Sequence, residues 1–220
     1  MTLLKLCGTT NSQDASLAGR AGADFCGILV DVAWTERSLT LEQARPVAQA
    51  SGVRNVILLC NPSAAFAGVV AESLQPFALQ LHCQEPASLV AELKETLTCE
   101  IWKTVHLPDL EGQVAPQAYE AAGADALLAD SVDTSEGFAR LGGTGKVGDW
   151  EAVAALKQQV DIPVFLAGGI GPDNIAAAVR TVQPDGIDLC SGVESARGRR
   201  DPEKVERLMQ MFRDVAGVRG

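Results

Sequence analysis

Short apolar runs alternate along the chain with longer stretches in which apolar side chains recur every three or four positions. The first pattern fits strands buried on both faces, the second amphipathic helices. The runs predict strands at Leu3–Cys7, Phe25–Val30, Asn55–Leu59, Phe77–Leu81, Glu100–Val105, Ala126–Ala129, Val164–Ala167 and Gly186–Cys190. The periodic stretches predict helices at Ser12–Ala21, Leu41–Ala50, Ser63–Leu74, Pro86–Thr96, Pro116–Ala122, Trp150–Val160, Pro172–Val182 and Pro202–Val215. Helix-start signals stand at Ser12 to Ala15, at Thr40 with Glu42 and Gln43, and at Asn61-Pro62-Ser63. Gly22 and Gly123 each follow a helix and precede Ala-Asp, which predicts a left-handed glycine closing each helix.

Eight strands, each followed by a helix, in 220 residues predict one domain over residues 1–220, a closed (βα)8 TIM barrel of the α/β class. A doubly wound open sheet is the competing architecture, but it would use fewer strands and leave an edge. No linker or charge block divides the chain. A hydrophobic content of 47% supplies a sizeable core and excludes extended disorder. The net charge of −10 argues against nucleic acid and anionic membranes as partners. No apolar run reaches the roughly 18 residues needed to cross a bilayer, and the N-terminus lacks a signal-peptide layout. The six cysteines, Cys7, Cys26, Cys60, Cys83, Cys99 and Cys190, form no CxxC pair and no Cys/His cluster. A structural zinc site is therefore not expected, and the thiols are expected to be free in a reducing cytoplasm.

In a barrel of this kind the site lies at the C-terminal ends of the strands. Cys7, His82 and Asp130 stand at the ends of strands one, four and six, and Arg37 lies in the loop after strand two. A thiol, an imidazole, a carboxylate and a guanidinium on one mouth make a candidate acid/base site for an anionic ligand. Gly168 and Gly169 follow strand seven, and Ser191 and Gly192 follow strand eight. Glycines there let backbone N–H groups approach a phosphate, the recurrent use of these two loops. Parity adds one expectation. Lys5 and Cys7 share a face of strand one, so Lys5 points into the barrel one layer lower, and Asp188 of strand eight is its expected partner.

Lys5-Leu6-Cys7-Gly8 with Thr10-Asn11, Gln80-Leu81-His82 and Gly142-Gly143-Thr144-Gly145-Lys146 with Asp149-Trp150 resemble signature segments of the phosphoribosylanthranilate isomerase family. Leu166-Ala167-Gly168-Gly169, Ser191-Gly192-Val193-Glu194 and Asp201-Pro202-Glu203-Lys204 extend the likeness to the C-terminus. The resemblance implies an enzyme of tryptophan biosynthesis that carries out an Amadori rearrangement on a small phosphosugar substrate, without metal or organic cofactor, as a monomer or homodimer. It implies that Asp130 is the general acid that opens the ribose ring and Cys7 the general base that takes the sugar C2 proton. A thiolate accepts that proton near neutral pH if its pKa falls below about 8.5. It further implies Arg37 as the partner of the anthranilate carboxylate, with His82 at the same mouth.

The chain departs from the family pattern in the loop Asp31–Ser38, at Thr9, at Cys83 in place of a glycine and at Cys190 in place of a serine. The glycines of Phe138–Lys146 suit a lid. The alternative reading is a paralogous barrel that acts on, or silently binds, another phosphorylated sugar metabolite; retention of both Cys7 and Asp130 argues for catalysis.

Overall fold

A computed structural model describes residues 1–107, 114–133, 140–141 and 149–216. The segment Gly142–Lys146 and most of the expected lid lie outside the described residues. Eight parallel strands form the barrel: β1 (Leu3–Leu6), β2 (Phe25–Val30), β3 (Arg54–Leu59), β4 (Ala78–Leu81), β5 (Glu100–Leu107), β6 (Ala126–Asp133), β7 (Val164–Leu166) and β8 (Gly186–Leu189). Each pairs with its neighbours in chain order, and β1 pairs with both β8 and β2, which closes the ring.

The helices are α1 (Ser12–Ala21), α2 (Leu41–Ala50), α3 (Ala64–Leu74), α4 (Ala87–Thr96), α5 (Pro116–Ala121), α6 (Trp150–Lys157), α7 (Ile175–Val182) and α8 (Pro202–Val215). Among the described helices none is long and apolar enough to cross a membrane. Helices α3 and α4 begin one residue later than expected, and the starts of α1 and α7 differ in ways that have a visible cause. The α1 cap is Asn11 rather than Ser12, because the Asn11 side chain accepts from Asp14 N–H. Helix α7 begins at Ile175 rather than Pro172, because Asn174 instead braces the preceding turn, accepting from Gly171 N–H and donating to the Gly169 carbonyl. Thr40 and Gln43 form the expected capping box, and Gly22 and Gly123 take the expected left-handed turn at φ 89° and 92°.

Strand parity sorts the side chains into two cores. Outward residues such as Leu4, Ile28, Ile57, Leu79, Leu127 and Ile187 pack against the helices. Inward residues stack in layers. At the floor Phe25, Trp102 and Phe165 interlock, with ring centroids 4.8–5.9 Å apart. Above them lie Lys5, Gln80, Thr104 and Asp188, all buried. Cys7, His82, His106 and Asp130 form the uppermost layer. Large rings thus fill the end away from the site, and polar groups gather toward the other.

The Lys5–Asp188 pair forms as parity predicts. Lys5 Nζ donates to Asp188 Oδ2 at 2.9 Å, and the two residues are direct partners in the β1–β8 register. Burial alone would lower the Lys5 pKa, but the facing Asp188 carboxylate overrides it and holds the ammonium well above its ordinary value. A second buried pair joins Lys103 of β5 to Glu85, which follows β4, at 2.8 Å.

Replacing Lys5 by methionine is expected to lower stability by about 3–5 kcal/mol, because it strands a buried carboxylate. Lys5→Met combined with Asp188→Leu should recover most of that loss in urea unfolding. Additive losses from the two changes would show that the pair is not coupled.

Candidate active site

The mouth of the barrel opens into a cavity of about 610 Å³, within the range of small-molecule sites. Cys7, Arg37, His82, Asp130, Gly168, Gly169 and Ser191 all line it. Gly192 is not among the lining residues. It packs against the β7 turn instead, where a Cβ would strike the Ile170 carbonyl oxygen.

Cys7 follows β1 and faces inward, its sulfur lying over Gly27 of β2. A Cβ at Gly27 would stand 2.7 Å from Cys7 Sγ, so the glycine makes the space that the thiol fills. Below it Lys5 lies close enough to hydrogen-bond the sulfur. Behind it Arg200 Nη2 donates to the Cys7 carbonyl at 3.0 Å and to Thr9 Oγ1 at 2.7 Å, which gives Thr9 a structural task that an aliphatic residue could not perform. Burial pushes the Cys7 thiol above its ordinary value. The Lys5 ammonium pulls against that shift and the Asp188 carboxylate adds to it. The condition for a thiolate near neutral pH, a lowered pKa, is not met in this pocket, because desolvation of the thiolate outweighs the lysine.

Asp130 lies three strands away around the ring, in β6, beside His106 of β5 in the register. His82 Nδ1 is 3.2 Å from Thr104 Oγ1, and the His82 and His106 rings meet edge to face at 5.3 Å. Burial lowers the His106 pKa, so that imidazole is neutral at pH 7.

Arg37 is more constrained than its sequence position implied. Its Nε and Nη2 donate to the two carboxylate oxygens of Glu194, at 2.8 and 2.6 Å. Burial alone would raise the Glu194 pKa, but the Arg37 hydrogen bonds hold it below the usual carboxylate range. Two of the three guanidinium nitrogens are therefore committed to the protein.

On the glycine side, Gly168 and Gly169 take φ of 88° and 61°. Among the described residues neither of their N–H groups donates to a backbone carbonyl. That is the geometry of an anion cradle.

Several lining residues were not read from the sequence as part of the cavity, although Asp188 was foreseen as the partner of Lys5. Gln80 and Asp188 each present a buried oxygen, Oε1 and Oδ1, with no hydrogen-bond partner among the described residues. Their signal was parity, two residues before His82 and Cys190. Trp34, 56% exposed, and Arg197 also line the cavity, and only the folding of their loops brings them there. Free thiols were expected throughout, but Cys60 and Cys83 are joined in a disulfide, leaving Cys7, Cys26, Cys99 and Cys190 free. The cause is register: Leu59 faces Leu81 across β3 and β4, so the residues leaving those strands emerge side by side. Cys60, Cys83 and Glu85 also cluster within 4.8 Å. Glu85 is a poor metal ligand here, since Oε1 accepts from the Asn61 and Cys83 N–H groups and Oε2 from Lys103.

An enclosed mouth with acid and base groups on facing strands, opposite a backbone anion cradle, places the chain among the (βα)8-barrel enzymes that work on small molecules. Known proteins narrow that class. The family model of N-(5'-phosphoribosyl)anthranilate (PRA) isomerase matches residues 4–211. The chain is 37% identical to the N-(5'-phosphoribosyl)anthranilate isomerase of Halobacterium salinarum over 212 residues, covering 95% of this chain and 94% of that protein. It is 34% identical to the Methanocella arvoryzae isomerase of the same name over 216 residues, covering 97% and 99%. The solved structure of TrpF from Jonesia denitrificans superposes with a TM-score of 0.79 at 30% identity, covering 100% of both chains. The chain belongs to the PRA isomerase family.

Cys7 is expected to react with iodoacetamide at pH 8 more slowly than a small free thiol, because burial disfavours its thiolate and restricts access to it. Site-resolved mass spectrometry measures this, and a rate equal to the free thiol would contradict the burial assigned to Cys7.

Proposed function

We propose that the chain converts N-(5-phosphoribosyl)anthranilate into 1-(2-carboxyphenylamino)-1-deoxyribulose 5-phosphate, the isomerase step of tryptophan biosynthesis. The observation that carries the reading is the coincidence of family membership with a thiol and a carboxylate on facing strands of one cavity. The reaction is an internal redox exchange of the aldose–ketose type. C2 is oxidised from carbinol to ketone while C1 is reduced to an amine-bearing methylene, so the electrons balance within the substrate and the reading needs no cofactor.

Asp130 protonates the ribose ring oxygen as the C1–O bond breaks, and the anilino nitrogen lone pair forms the iminium. That cation acidifies the C2–H bond, and Cys7 removes the proton as thiolate. The C–H electron pair becomes a C1–C2 double bond as the iminium electrons return to nitrogen, and protonation at C1 with loss of the C2 hydroxyl proton then yields the ketose. In the resting pocket Cys7 is a buried thiol. The arriving positive charge above it, with Lys5 below, favours its ionised form when substrate is bound. The phosphate sits against the N–H groups of Gly168 and Gly169 with the turn containing Ser191 and Gly192, while Arg37 and His82 face the anthranilate end. We place the reaction in the cytoplasm, where the precursors of amino-acid synthesis are found. The loop Asp31–Ser38, with exposed Trp34 at the rim, favours retuning at the aromatic end as the second reading.

Purified protein is expected to turn over freshly prepared phosphoribosyl anthranilate, followed by the loss of anthranilate fluorescence. No turnover above background would reject the reading in favour of a paralogue. Cys7→Ser and Asp130→Asn should each lower kcat/KM by at least about a hundredfold without changing thermal unfolding. Near-wild-type rates would refute those roles. Arg37→Ala should raise KM more than it lowers kcat, whereas an effect confined to stability would mark it as the structural partner of Glu194 alone.

The pH dependence has a definite sign. Because Cys7 titrates above its ordinary value, the base form grows with rising pH, and kcat/KM should climb through the alkaline range. A limb at or below an ordinary thiol pKa would contradict this.

A further inference from the structure

Cys60 stands one residue beyond β3 and Cys83 two residues beyond β4, and both line the cavity with His82. Their approach does not depend on the bond between them. Glu85 Oε1 accepts from Asn61 N–H at 2.9 Å and from Cys83 N–H at 3.0 Å, so one buried carboxylate ties together the two loops that carry the sulfurs. Lys103 holds the other oxygen of Glu85 and also donates to the Cys83 carbonyl. The backbone therefore presents two thiols at bonding distance even when they are reduced.

We infer that Cys60 and Cys83 form a reversible redox site that exchanges with low-molecular-weight disulfides and sets the shape of the substrate pocket. The inference rests on the cytoplasmic isomerase reading in one respect: in a reducing compartment a disulfide is transient and redox-sensing rather than structural. Burial assigns the order of the steps. Cys60 is partly exposed while Cys83 is buried. The Cys60 thiolate attacks the external disulfide and expels one small thiol, leaving a mixed disulfide on Cys60. The Cys83 thiolate then attacks the Cys60 sulfur and expels the second small thiol. Two protein thiols lose two electrons and two protons, and one external disulfide becomes two thiols. Cys7, 7% exposed and with its thiolate disfavoured by burial, is a poor competitor for the same reagent.

The consequence for the site follows from distance. Bonded sulfurs lie about 2.05 Å apart, whereas unbonded heavy atoms rest at about 3.5–4.0 Å. Reduction must separate the two sulfurs while Glu85 and Lys103 pin both backbones. The more exposed Cys60 side chain takes up the movement and intrudes on the cavity wall at the anthranilate end. A metal held by the reduced pair is the weaker use of the same atoms, because Glu85 has both oxygens engaged.

The test has two independent arms. Wild-type protein is equilibrated with buffers of reduced and oxidised glutathione, quenched with an alkylating reagent, and mapped as peptides. The Cys60–Cys83 linked peptide should appear as the buffer becomes oxidising and vanish in excess reduced glutathione. Its absence under oxidising conditions, or a bond that never opens, would overturn the inference. This arm uses no substrate, so an inactive wild-type chain would count against the isomerase reading and leave the mapping decisive.

In the second arm KM for phosphoribosyl anthranilate should rise at least about threefold on reduction while kcat stays within about twofold, the signature of altered binding rather than chemistry. In Cys60→Ser and Cys83→Ser the KM should be the same in both buffers. A wild-type KM that ignores the bond, or variants that still respond to the buffer, would defeat the coupling to the site. Stoichiometric zinc on the reduced protein that blocks exchange would replace the redox site with a metal site.

Discussion

The buried contact between Lys5 and Asp188 sets the terms for everything above it. Two charges withdrawn from water are tolerable only if they meet, and they meet only when β1 and β8 close the barrel in one register. A slip of one residue would turn Lys5 or Asp188 outward into the apolar layer beneath the helices. Closing the ring and seating the ion pair are thus one event. The same event puts Cys7 above Lys5 and Cys190 above Asp188, so the seam of the barrel is also the base of its active site.

From that seam the interior reads as a gradient. Phe25, Trp102 and Phe165 fill the floor with interlocked rings, excluding water from below. Lys5, Gln80, Thr104 and Asp188 form a polar middle layer in which Lys5 pairs with Asp188 and Gln80 with Thr104. The top layer carries the groups assigned to chemistry. The second buried pair, Lys103 with Glu85, does for the β4–β5 side what Lys5 does for the seam, since Glu85 gathers the backbone of two loops at the rim. A thiol base in this setting inherits opposing influences: burial disfavours its ionised form, and the lysine beneath it favours that form. In the proposed reaction its working state depends on the charge that the substrate brings.

The rim is where this chain differs most from the family pattern. Arg37 is held by Glu194 across the mouth, Trp34 stands exposed beside it, and Cys83 sits where a glycine is usual and meets Cys60. In the proposed reading these lie toward the anthranilate end, whereas the glycine turn at Gly168 and Gly169, proposed for the phosphate, keeps the family wording.

The sequence by itself determined the barrel, most element boundaries to within a few residues and the inward parity of each strand. Those features rest on local periodicity and capping, which are properties of neighbouring residues. Parity alone sufficed to foresee Lys5 beneath Cys7 and Asp188 beside it. Only the tertiary structure decided that Arg37 is committed to Glu194, that Arg200 supports Cys7 and Thr9, and that Cys60 bonds to Cys83. It also decided that burial raises the Cys7 pKa. These outcomes join residues that are distant in the chain or depend on how completely water is excluded, and neither the distance between loops nor the depth of burial is written in local spacing.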